Sequence, residues 1–88
     1  MLKKLLNNLD AAVAETNRID DEWEKDPENK ALEAEWNRAY KAEYEAHQAF
    51  TKALVDASQG RLTRENVRAL YFTKHEELKN LIERMQTA

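Results

Sequence analysis

The chain has 88 residues, of which 42% are hydrophobic and 35% charged, with one glycine, one proline, no cysteine and a formal net charge of −3. Without cysteine there is no disulfide, no thiol nucleophile and no cysteine metal site, and so small a charge imbalance argues against nucleic-acid binding. The length fits a single domain, residues 1–88, and so charged a chain with so few turn-formers points to amphipathic helix throughout.

The first element is a helix over about residues 2–24. Leu2, Leu5, Leu9, Ala12, Thr16, Ile19 and Trp23 step by three and four, the heptad register of a coiled coil, with Thr16 as a polar member. Leu6 and Val13 widen the stripe, which suits a helix with two neighbours. The sequence then breaks at KDPEN. Asp26 is placed to cap the next helix, with Pro27 in its first turn and Glu28 at the positive end of its dipole.

The second helix is expected over 27–58, the longest of the chain. Leu32, Trp36, Tyr40, Phe50 and Leu54 form its large apolar stripe, beside an alanine row at 39, 42, 46, 49 and 53. In the middle of the stripe sit Glu43 and His47, one turn apart on one face. A second break, SQGR, offers Gly60 as a C-terminal cap and Thr63 as the next N-cap. The third helix, over 63–86, carries Val67, Leu70, Tyr71, Leu78, Leu81, Ile82 and Met85, with Lys74 inside its stripe. Two short connections give an all-α fold, an antiparallel (up-down-up) three-helix bundle with a long central helix.

Thr16, Glu43, His47 and Lys74 are therefore expected to form a structural polar cluster, since a buried carboxylate needs a partner. Metal and catalytic signatures fail on inspection. The Glu-x-x-His of di-iron bundles has Tyr44 where glutamate is required. The HExxH zinc motif fails because Glu77, Leu78 and Lys79 follow His75-Glu76. All-helical chorismate mutases converge several arginines on a dicarboxylate, and here Lys74 is the one base inside a stripe. No cofactor and no metal is expected, and no enzymatic activity.

The opening MLKKLLNNLDAAVAE loses its apolar run at Asn7, Asn8 and Asp10, unlike a signal peptide. No apolar segment approaches the ~20 residues that span a bilayer, so the expected place is the cytoplasm and no membrane partner is expected. What remains are surface features. Arg61, Arg64 and Arg68 cluster at the start of the third helix, where the dipole disfavours cations. Tyr44, Val55 and Phe72 lie off the core stripes, and aromatic residues are enriched at interface centres. These six residues are the candidate contacts of a small protein–protein interaction module, a regulator, inhibitor or immunity-type protein. Its partner is another protein or, as a homodimer, itself, because the long second helix overhangs its neighbours. The alternative is a metal-binding or catalytic bundle centred on Glu43, His47, Lys74 and His75.

Overall fold

The computed structural model describes residues 1–87. It holds α1 (Leu2–Lys25), α2 (Lys30–Ala57), α3 (Arg64–Thr73) and α4 (His75–Thr87), and no strand among the described residues. The all-α expectation is met, but the third helix is two helices. The molecule is long and narrow, 49 × 20 × 19 Å.

In α1 four of the seven heptad positions are buried, while Leu5, Ala12 and Trp23 are half-buried. Leu2, Leu9, Thr16 and Ile19 are buried against α2. Leu6, on the widened flank, is buried where α4 supplies the second neighbour. Thr16 satisfies itself, its hydroxyl donating to the Ala12 carbonyl at 3.0 Å, the back-bond that threonine makes inside helices.

The first connection is capped differently from expectation. Asn29, not Asp26, is the N-cap of α2: its side-chain oxygen accepts from the backbone N–H of Ala31 at 2.9 Å and of Leu32 at 3.3 Å. Asp26 ends α1 instead, at φ −143° and ψ 68°. The proline that follows it excludes the helical region for that residue, so the helix restarts only after the turn Pro27–Glu28. At the second connection α2 stops at Ala57, and Gln59 (φ 56°) and Gly60 (φ 83°) are both left-handed. Glycine takes that conformation without a Cβ clash, which is why it stands here. Thr63 caps α3 as expected, in a capping box with Asn66 whose two bonds are each 3.1 Å.

The main departure is at Lys74. It has φ −138° and ψ 51°, ends α3, and is exposed. There the chain reverses. Leu62, ahead of α3, and Leu81 and Met85, late in α4, line one cavity at the base of the molecule, which a straight helix of ~35 Å would not allow. Lys74 is therefore not a polar member of a continuous stripe. It is the hinge between Val67–Tyr71 on α3 and Leu78–Ile82 on α4.

Because α3 and α4 fold back on each other, they cover only one end of the α1–α2 hairpin. The main core lies there: Leu2, Leu6, Leu9, Phe50, Leu54, Val67, Tyr71, Leu78 and Ile82. Burial of each large side chain contributes about 1.5–3 kcal/mol. Beyond Val13 and Ala46 the hairpin continues as a two-helix arm closed by Ile19 and by a tilted Trp23–Trp36 pair with ring centres 6.0 Å apart. The up-down-up, three-helix topology thus gives way to a four-helix end and a two-helix arm.

One core group is a liability. Thr51 is only 4% exposed, and its hydroxyl has no hydrogen-bond partner among the described residues. A buried hydroxyl without a partner carries its desolvation penalty uncompensated. Thr51→Val is expected to stabilise the fold by about 1 kcal/mol, read as a higher urea midpoint at an unchanged m-value.

Candidate interaction surface

Where α3 ends and the arm begins, the molecule has an inner corner, an open groove of about 340 Å³. Leu9 and Val13 of α1 form its floor. Tyr40, Glu43, Tyr44, His47 and Gln48 of α2 form one wall, and Arg68 and Phe72 of α3 the other. Two groups of residues that the sequence kept separate meet here: Glu43 and His47 from the polar cluster, and Tyr44, Arg68 and Phe72 from the candidate contacts. Thr16 is bonded within its own helix and Lys74 stands exposed at the hinge, so neither faces Glu43 across the groove. Arg61 and Arg64 are exposed below the groove on the α3 side, and Val55 is half-buried against the core.

The surface is aromatic and largely bare. Tyr40 is 48% exposed, Tyr44 57% and Phe72 62%. Trp36 stacks on Tyr40 with ring centres 5.0 Å apart, and the His47 ring lies 6.1 Å from Phe72 and from Tyr71. The Arg68 guanidinium sits 5.8 Å above the centre of the Phe72 ring. The ring contacts form two groups, Trp23–Trp36–Tyr40 on the arm and His47–Tyr71–Phe72 at the corner, and Tyr44 lines the groove with members of both.

The polar groups in the corner are set by burial. Desolvation raises the Glu43 carboxyl above its ordinary value. Desolvation lowers the His47 imidazole below its own, and the positive charge of Arg68 adds to that. Both shifts favour the neutral forms. The two side chains form neither a hydrogen bond nor an ion pair with each other in the described set, so no base is aligned on an acid here. Nor do three His, Asp or Glu side chains converge as a cation would need among the described residues.

The polar contact that the sequence concealed is Asp10. Its Oδ1 accepts from the Tyr71 hydroxyl at 2.8 Å and lies 2.9 Å from Nε2 of His75. This joins α1, α3 and α4 just behind the groove, and sets the Tyr71 ring against Phe72 at 5.1 Å. Burial, then the bond to Asp10, then the charges of Asp10 and Glu43 raise the Tyr71 hydroxyl well above the ordinary phenol. Asp10 follows Leu6 by four and precedes Val13 by three, so its place on the widened flank was a usable signal.

No protein family, curated protein or solved structure matches this chain. The surface therefore speaks through its own chemistry.

Two outcomes follow from these contacts. Asp10→Ala, which strands the Tyr71 hydroxyl, is expected to cost about 1–3 kcal/mol in urea unfolding. Adding Tyr71→Phe to it recovers part of the loss. For pH, a raised carboxyl costs stability as the pH climbs past about 4.5, whereas a lowered imidazole costs it as the pH drops below about 6.5. Glu43→Gln is thus expected to raise Tm at pH 7 by no more than about 4 °C, because solvent screens the open groove. Thermal scans at about pH 3.5, where the wild-type carboxyl is already protonated, should show no gain.

Proposed function

We propose that this protein is a small non-catalytic interaction module that docks a protein partner on the face running from the corner groove along the arm. The observation that carries this reading is the group of exposed rings, Tyr40, Tyr44 and Phe72, left uncovered where α3 and α4 stop, with half-buried Trp36 stacked on Tyr40. Large exposed apolar side chains scattered singly mean little, but several exposed aromatics lining one groove with charged groups is the form of a binding surface. Rigid aromatic rings give contact area at low entropic cost, and such residues dominate binding energy where they are fully desolvated.

The lower half of the molecule supports this reading. There α3 and α4 lie on the same two helices and bury Phe50 and Leu54 completely. The arm offers the continuation of that seat, and a helical partner fits it as an amphipathic helix fits a groove. A protein of this kind acts by occupancy, in the manner of a regulator or inhibitor. Nothing in the corner favours chemistry or metal over this reading.

The test is site-specific photo-crosslinking in the native cell, with p-benzoylphenylalanine replacing Tyr40, Tyr44 or Phe72 in turn. At least two of the three positions are expected to give a discrete protein adduct, whereas the same group in place of exposed Lys52, outside the groove, gives none. Absence of adducts from all three overturns the proposal. A rise in Tm with zinc or ferrous iron, abolished by His47→Leu, would instead revive the metal-binding reading.

A further inference from the structure

We infer that the occupant of the open face is a second copy of this chain, turned end for end about a two-fold axis near Tyr44 and Phe72. This rests on the proposed binding surface and names what fills it.

The spacing of two rows carries the argument. From the groove, Phe72, Arg68 and Arg64 step down α3 by four, while Tyr44, Tyr40 and Trp36 step up α2 by four. Side chains four apart make the ridges by which helices pack. Because α3 runs antiparallel to α2, the rows leave the groove in opposite directions along the molecule. Each covers eight residues, or ~12 Å. A two-fold axis where they meet lays each row of one copy along the unlike row of its mate. Phe72 then faces Tyr44, Arg68 faces Tyr40 and Arg64 faces Trp36. Past the two rows, Glu33 stands on the exposed surface of α2 one turn beyond Trp36, and Arg61 stands exposed in the connection just ahead of α3.

Charge selects the inverted arrangement. Residues 13–45, the arm, hold eleven acidic and five basic side chains, whereas residues 61–74 hold one acidic and four basic. Arg61, Arg64, Arg68 and Glu33 form no ion pair among the described residues. Inverted copies set basic segment on acidic arm twice, and parallel copies set like on like. Residues 75–88, with three acids and two bases, add no such attraction, so the contact runs through α3. The chemistry already has a precedent inside the chain, where the Arg68 guanidinium covers the Phe72 ring. A guanidinium over an aromatic face is favourable, and more so once water is excluded. The contact is self-complementary and therefore closes as a dimer rather than growing into a filament.

Sedimentation equilibrium from micromolar to millimolar protein tests the inference, at low salt and in high sodium chloride. A reversible dimer is expected, at least ~10-fold weaker in high salt. Arg61→Glu and Glu33→Lys are each expected to weaken it, and the two together to restore it to within ~3-fold of the original, the signature of a direct pair. Circular dichroism confirms that each variant is folded; both sites are exposed. A monomer at every concentration overturns the inference, as does a dimer indifferent to Tyr40→Ser and to both charge reversals. If the wild type is a monomer yet the position-44 cross-linker captures a different protein, the binding surface stands and only self-pairing falls. If none of the cross-linkers at positions 40, 44 and 72 captures anything, both fall.

Discussion

The turn at Lys74, a single residue at φ −138° and ψ 51° between two helices, sets what the rest of this molecule can be. Were α3 and α4 continuous, one helix of ~35 Å would lie along the whole α1–α2 hairpin and cover it. Reversal at Lys74 doubles the cover at one end and leaves none at the other. The compact end then has helices on two sides of α1 and α2, enough to bury Phe50, Leu54 and Val67 completely. The far end has only its own two helices, which seal Ile19 and leave Tyr40 and Tyr44 wet. Core and open surface are thus two results of one backbone decision.

The polar groups arrange themselves around the same boundary. Asp10 fastens α3 and α4 to α1 through Tyr71 and His75 at the level where cover ends. Glu43 and His47 lie just past it, half-buried, each pressed toward its neutral form by lost hydration. They need no partner within the chain because the groove stays open to water. A buried carboxylate in a closed three-helix core would have needed one. The expectation of a four-member polar cluster came from assuming that closed core, and the geometry separates its members accordingly.

The helical periodicity made most of the fold legible. The heptad spacing of α1, its second flank at Leu6 and Val13, and the Thr63 cap all follow from residue order and recur in the structure. What misled was the third stripe. Tyr71 and Leu78 are seven apart, the distance a continuous heptad would keep, so Lys74 read as an intruder rather than a stop. The contrary signal was the Glu76–Glu77 pair, acids that favour the positive end of a helix dipole and that stand in the first turn of α4. The groove was legible only as scattered parts. Its wall residues lie on three helices, and their meeting depends on where α3 ends. Asp10 was hidden for a related reason: its partners are 61 and 65 residues away in the chain, and only α3 and α4 folding back bring them near.

The placement of the two tryptophans has an optical consequence. Trp23 and Trp36 are the chain's only indoles, and they pack on each other in the arm. The four-helix end contains none. Indole emission therefore reports on the arm alone, while helical circular dichroism sums over both parts. Regions with few buried contacts open at lower free energy than the core that supports them. In this chain the fluorescence of the native sequence distinguishes fraying of the arm from global unfolding, with no label added.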